Sequence, residues 1–471
     1  GDFVFEVKVS YGSISASRTY ALKIELPEID LSLTTTAPTP AEVHTPYSFD
    51  LKTLLTVNNI EKEDVKFYPS ISGPEQSYPN GLSISQDGVI SGTATMSGEY
   101  RFSVKAVFTD GDEHIEHTVE YTFKVTGVVY KFREIAAANS FTCGVDLEGG
   151  VKCFGSSGFL TKTNIPTKIE NLDNQKEIAA GDTFACVVNA SGELRCMGSS
   201  FPTRDFGTAG GPMLIPTPLA VTKVGAGSDN VCFVMTDGRV GCFGRGLYQV
   251  NGDGTTQDRS EPVIVNNLTN AVDVTVGASN ACALTSVGGV KCWGTASYGR
   301  TGIGVEGNIK HDATDVVGLE TGVRQIGAGS NTTCATMVSG EIRCWGYNGQ
   351  GAVGDGTTVN RSSPVPVQGI TNARMVASGF SGFSCAVLAD GSAKCWGDDH
   401  YQKLGNGARS DSLVPDTVEG LEINAVGVSL GQYHACAWDA AGVTQCWGLA
   451  QHGQLGPKSY TSSSSAIFVG T

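Results

Sequence analysis

The fourteen cysteines of this 471-residue chain fall into seven pairs, and the members of every pair stand ten positions apart. They are Cys143 and Cys153, Cys186 and Cys196, Cys232 and Cys242, Cys282 and Cys292, Cys334 and Cys344, Cys385 and Cys395, and Cys436 and Cys446. Successive pairs begin 43, 46, 50, 52, 51 and 51 residues apart, which marks an internal structural repeat. Two glycines keep phase with them. One stands four residues before each second cysteine, from Gly149 to Gly442, and the other two residues after it, from Gly155 to Gly448. A run such as Cys232-Phe-Val-Met-Thr-Asp-Gly-Arg-Val-Gly-Cys242 reads as two short strands around a turn whose Gly supplies the positive φ. Folding there sets the cysteines opposite one another, and directly opposed residues without mutual hydrogen bonds lie about 4.5 Å apart at Cα, within disulfide reach. Buried free thiols are the competing reading. Seven complete pairs with no cysteine left over favour disulfides, which imply an oxidising compartment.

Composition narrows the class. Gly contributes 61 residues without a collagen period, between short β-branched runs, and hydrophobic residues at 40% suffice for packed cores. That pattern is an all-β chain rich in tight turns. The formal net charge of −15 repels phosphate backbones and anionic lipid, so neither nucleic acid nor a membrane surface is expected as a partner. No stretch approaches the ~18 apolar residues of a membrane-spanning helix, and direct membrane insertion is not expected.

The repeats resemble those of the regulator of chromosome condensation family, which form seven-bladed β-propellers. The segments that carry the resemblance are Ala281-Cys-Ala-Leu-Thr-Ser-Val-Gly-Gly-Val-Lys-Cys-Trp-Gly294, Gly354-Asp-Gly-Thr-Thr-Val-Asn-Arg-Ser-Ser-Pro-Val-Pro-Val367 and Cys446-Trp-Gly-Leu-Ala-Gln-His-Gly-Gln-Leu-Gly456. Phe154, Met197 and Phe243 stand where later repeats hold Trp293, Trp345, Trp396 and Trp447. The resemblance covers residues 127–471. Strands containing Pro166, Pro218, Pro262, Pro364 and Pro415 read as leading into the repeat that follows each. The first repeat then lacks such a strand, and Ser465–Gly470 is expected to complete its blade, so that the C-terminal strand closes the propeller.

Residues 1–126 are built differently, with no Cys and no Trp. Tyr100–Phe108 and His117–Val125 alternate as strands around the turn Thr109–Asp112. The run from Pro79 to Tyr100 resembles the immunoglobulin-like modules of bacterial surface proteins, which implies a β-sandwich over 31–126. Residues 1–30 read as the C-terminal hairpin of a preceding module of the same kind, so further immunoglobulin-like modules are expected N-terminal to this chain.

Chemistry is sparse. Gly427-Val-Ser-Leu-Gly431 matches a nucleophile elbow in spelling, but Ser429 occupies a repeat position that elsewhere holds Ala136, Ala179, Gly225 and Gly327, with no strand-to-helix context. His114, Glu116 and His117 lack metal-ligand spacing on a strand, and Asp110, Asp112 and Glu113 read as a solvated turn. No catalytic residue, metal or cofactor is expected, and the chain is not expected to be an enzyme.

One repeat feature suggests a binding face. Six residues after the second cysteine stand Phe159, Tyr248, Tyr298, Tyr401 and His452, with Tyr347 and Phe201 at neighbouring places. Blade symmetry carries them to one face, where aromatic side chains make good interface anchors. The insertion Ser200–Leu214, with Phe201, Arg204 and Phe206, is a second candidate. The expected function is extracellular or cell-surface recognition in a bacterium, an adhesion head on an immunoglobulin-like stalk that binds a protein or glycan of another cell or surface. The alternative is a secreted enzyme inhibitor similar to the family's β-lactamase-inhibitor propellers.

Overall fold

The ten-residue cysteine spacing folds as expected. Cys143 opposes Cys153, Cys282 opposes Cys292 and Cys436 opposes Cys446, each across adjacent antiparallel strands. All seven pairs form disulfides, with Cα atoms 4.0–4.1 Å apart in each, and no cysteine is free. The two phase-locked glycines serve different needs. Gly288 turns the hairpin at φ +78°, a left-handed conformation that other residues adopt at a cost. Gly294, at φ +103°, is held by space as well, because a Cβ there would stand 2.6 Å from the Ser279 carbonyl oxygen.

The structure, a computed structural model, describes residues 129–198, 211–457 and 462–470 without interruption, and before them 2–11, 14–23, 31–32, 47–54, 56–57, 65–70, 82–92, 98–110 and 113–125. Two compact units result, residues 1–129 with 470–471, and residues 130–469.

In the second unit the described residues form four-stranded antiparallel sheets that follow one another in chain order, each built around one disulfide. The first comprises Phe132–Ala137, Phe141–Asp146, Val151–Ser157 and Leu160–Ile169. The fourth comprises Ala271–Val276, Asn280–Thr285, Val290–Thr295 and Lys310–Asp315. The last comprises Ala425–Leu430, His434–Asp439, Thr444–Gly448 and Ser463–Phe468. These sheets are the blades of a β-propeller.

The assignment of the outer strands needs correction. Pro166 lies in Leu160–Ile169, a strand that pairs with the hairpin before it, and so do the strands Arg259–Ile264 with Pro262, Arg361–Pro366 with Pro364 and Ser412–Thr417 with Pro415, while Pro218 lies outside any strand. A proline donates no backbone hydrogen bond, so it suits the outermost strand of its own sheet. Ser463–Phe468 accordingly pairs with Thr444–Gly448 in the last sheet and does not complete the first, which already has four strands. The two sheets meet by other bonds. Phe132 N–H donates to the Gly442 carbonyl (2.8 Å), Tyr130 N–H to the Val469 carbonyl (3.1 Å) and Ala137 N–H to Ser429 Oγ (2.9 Å). Ser429, the residue at the centre of the apparent elbow, is thus a hydrogen-bond acceptor between sheets.

The core lies between sheets. One cluster packs Val145 and Val151 of the first sheet on Ile178 and Val187 of the second. Another packs Phe132, Ile135 and Phe154 on Cys446, Leu455 and Val469. From the fourth sheet onward a buried indole adds a polar link. Trp293, Trp345, Trp396 and Trp447 donate Nε1–H to the carbonyls of Val250, Arg300, Ala352 and Lys403 in the preceding sheet's loop, at 2.8–3.0 Å. Phe154 of the first sheet cannot do this, and Thr142 Oγ1 donates instead to the Gln454 carbonyl at 2.9 Å.

In the first unit, Gly98–Asp110 pairs with both Glu113–Val125 and Val65–Ser70, and Val89–Gly92 pairs with Tyr47–Asp50 and Leu82–Ile84. Phe67 and Ile90, one from each sheet, are buried. Asp2–Tyr11 pairs with Ile14–Lys23 as a hairpin. Asp112 of the acidic turn lies outside the described residues.

Candidate functional site

In a four-stranded meander the connection from first to second strand and that from third to fourth lie at the same end of the sheet. The aromatic row falls on the third-to-fourth connections, so these loops share one face of the propeller with the first-to-second loops. In the fourth sheet that connection opens with a 3₁₀ turn, Ser297–Gly299, and in the sixth with another, His400–Gln402. Tyr298 and Tyr401 sit at their centres with φ of 60° and 69°. Bulky residues adopt this region only where the surroundings over-determine it, and such positions cluster at functional sites.

The row divides by burial. Tyr298 and Tyr401 are 45% and 38% exposed. Tyr248, Tyr347 and His452 are half-buried, and Phe159 packs on the first sheet's core with its ring edge-on to Phe141, centroids 5.3 Å apart. Phe201, Arg204 and Phe206 lie outside the described residues. Each exposed tyrosine leans on an aromatic of the next sheet's loops. Tyr298 meets Tyr347 at 5.3 Å and 67°, and Tyr401 meets Tyr433 at 5.1 Å and 74°.

Two residues after each of these tyrosines stands a cation that sequence reasoning passed over. Across five repeats this position, eight after the second cysteine, holds Val250, Arg300, Ala352, Lys403 and Gln454. Lys403 is fully buried. Its ammonium is ion-paired with Asp398, donates to the Ser381 carbonyl at 2.9 Å and lies 5.2 Å from the Phe383 ring. Burial pulls it below the ordinary lysine range while Asp398 opposes the pull. Arg300, 5% exposed, donates Nε–H to the Ser297 carbonyl at 2.9 Å and holds its guanidinium 5.5 Å from the Tyr298 ring. Burial pulls it, too, below its ordinary range, but only tyrosines act against the pull and no carboxylate does.

Arg300 and both flanking tyrosines line a cleft of about 660 Å³ that spans loops of the third, fourth and fifth sheets. Its polar lining includes Ser279, Asn308 and Asn331. The volume falls in the ~300–1,000 Å³ range of small-molecule sites. A second cleft of about 400 Å³ gathers Asp398, Asp399, Tyr401 and Asp411. Its Asp399 carboxyl is raised above the usual range by burial.

The innermost strands carry a third set. At one equivalent position stand Glu134, Glu177, Lys223 and Asp273 in sheets one to four, against Gln325, Met375 and Gly427 in the rest. Lys223 pairs with Glu177 at 2.6 Å. Burial, then the nearby Glu177, push the Glu134 carboxyl up to about 8, and burial pushes Asp273 to about 6. Among the described residues no group of three His, Cys, Asp or Glu side chains has the arrangement of a metal site.

Known proteins place this geometry. Residues 323–352, 339–387 and 390–438 match the Regulator of chromosome condensation (RCC1) repeat, and residues 30–126 match the Putative Ig domain family. The Ultraviolet-B receptor UVR8 of Arabidopsis thaliana is 30% identical over 245 residues, 51% of this chain and 56% of the receptor. The E3 ubiquitin-protein ligase HERC2 of Homo sapiens is 30% identical over 138 residues, 28% of this chain and 3% of the ligase. The chain therefore spans about half of the first relative and a small part of the second. Among solved structures, Prp20p of Saccharomyces cerevisiae superposes with a TM-score of 0.57 at 20% identity, covering 63% of this chain and 80% of that one. Human WBSCR16 superposes at 0.56 and 18% identity, covering 69% and 91%.

Proposed function

This chain belongs to the RCC1 repeat propeller family and carries an immunoglobulin-like domain N-terminal to its repeats, and from that premise we propose that it is a non-enzymatic recognition protein. In this reading the propeller is a seven-bladed ring, closed where the first sheet bonds to the last. The loops after the third strands form its binding face. The observation that carries the reading is the pair Tyr298 and Tyr401, exposed, braced by neighbouring aromatics and held at positive φ on equivalent turns. A ring needed only for packing would be more buried, as Phe159, half-buried against the first sheet's core, is.

The seven disulfides within the sheets fit an oxidising compartment. The proposed setting is a bacterial surface, with the immunoglobulin-like domain as part of a stalk and a protein or glycan of another surface as partner. The inhibitor alternative uses the same face and differs only in the partner returned. A combined glycan and protein array probed with the chain tests both. The expected result is a ligand whose binding falls by about 2 kcal/mol in Tyr298→Ala or Tyr401→Ala, the hot-spot scale. Ligands bound equally well by both variants would overturn the assignment of the face.

A further inference from the structure

A buried cation is costly unless a counter-charge accompanies it. Arg300 and Lys403 occupy the same repeat position, and among the described residues only Lys403 has that counter-charge. Asp398, which pairs with Lys403, is the first residue after Gly397; the equivalent residue after Gly294 is Thr295, which is neutral. The Arg300 Nε–H is committed to the Ser297 carbonyl, and among the described residues its two terminal nitrogens have no hydrogen-bond partner. Glu306 lines the same cleft but accepts from Asn360 Nδ2 at 3.2 Å and makes no ion pair with Arg300. The cleft thus presents the open side of a guanidinium, whose fork matches a carboxylate through two parallel bonds.

We infer that the Arg300 cleft binds a carboxylated sugar, with the carboxylate on Arg300 and the sugar ring between Tyr248 and Tyr298. The inference deepens the recognition reading above and rests on it. Three features select the sugar. The walls are two tyrosines facing the cleft from successive blades, suited to the C–H face of a pyranose ring. Apart from Glu306, which is engaged by Asn360, the remaining polar lining is hydroxyl and amide, with Ser279, Asn308 and Asn331 among it, groups that both donate and accept and so match sugar hydroxyls. The single cation stands in a chain of net charge −15, which disfavours heavily charged polymers while leaving one carboxylate well matched. Tyr298 is braced for this, with the guanidinium 5.5 Å from its ring and Tyr347 packed against it at 5.3 Å.

The test titrates the full chain by calorimetry with trigalacturonate and its methyl ester, with sialyllactose and lactose, and with a triglutamate peptide. Wild type is expected to bind at least one acidic saccharide about tenfold or more tighter than its neutral counterpart. Arg300→Met should bring that ratio close to one, and Arg300→Lys should keep part of it, since lysine retains charge without the fork. The lysine variant also guards against a methionine variant that fails to fold. An acidic preference unchanged in Arg300→Met and Arg300→Lys overturns the inference, and so does binding of the peptide above every saccharide. Failure to bind any acidic saccharide above its neutral counterpart overturns it as well, and leaves the recognition reading to stand or fall on the Tyr298 and Tyr401 variants alone.

Discussion

The loops of the fourth and sixth blades share a backbone and differ in how they hold charge. Both turn on a tyrosine at positive φ, both place a cation two residues later, and both give that residue's carbonyl to the next blade's tryptophan. In the sixth blade the cation is sealed against Asp398, and in the fourth it opens on a cleft whose acid, Glu306, makes no ion pair with it. Features common to all repeats therefore describe the scaffold. Function is sought where one repeat departs from the rest at an otherwise shared position.

If the shared features carry stability, reducing them should act on every blade alike. Disulfides that close ten-residue separations contribute up to about 3 kcal/mol each in the loop-entropy treatment, without additivity. Reduction should lower stability by at least about 5 kcal/mol, read by denaturant unfolding. Thiol counting before reduction should find no free cysteine, and three or more would contradict the assignment.

The indole bonds sharpen the comparison at a smaller scale. Among the described residues the Lys403 carbonyl receives only Trp447 Nε1–H, whereas the Arg300 carbonyl also receives Asn280 Nδ2–H at 3.3 Å. Trp447→Phe leaves a buried acceptor unsatisfied and should cost about 1–3 kcal/mol. Trp345→Phe should cost about 1 kcal/mol less, because Asn280 remains. Equal losses in urea unfolding would show that the second donor is unimportant.

Paired and unpaired charges recur in the innermost strands, where Glu177 has Lys223 and Glu134 has no ion pair. The folded chain holds the Glu134 proton up to about pH 8, whereas the unfolded chain releases it near 4.5. Stability from this group is therefore present at low pH and lost as pH rises through that window. Glu134→Gln should flatten the decline in Tm between pH 5 and 8. His434, buried neutral against Thr142 Oγ1 at 2.7 Å and held down to about 3, acts in the opposite sense. Its contribution is lost as pH falls from about 6.5 toward 3, so His434→Gln should remove part of the acid sensitivity. The smallest stability effects are expected at the exposed rings, where Tyr298→Ala and Tyr401→Ala should stay within about 0.5 kcal/mol of wild type.

Much of this architecture is legible in residues that repeat. The cysteine spacing and its two glycines specify the hairpin, because a turn at Gly288 and a close approach at Gly294 admit no other residue cheaply. The outer strands are harder. A strand between two hairpins, such as the one containing Pro166, belongs to either by sequence, and only its pairing in space assigns it to the hairpin before it. The cations were visible but unranked. Lys403 has an aspartate five residues earlier and Arg300 a threonine, yet whether such a pair closes depends on the loop between them.

The central claim is that the same repeat position holds a structural cation in one blade and a free one in another. Equilibrium unfolding of Lys403→Met beside Arg300→Met tests it directly. Removing Lys403 strands Asp398 in a mostly buried site and should cost about 3 kcal/mol. Removing Arg300 strands no acid and should cost about 1 kcal/mol for its bond to Ser297. Equal losses in the two variants, or the larger loss at Arg300, would contradict the account.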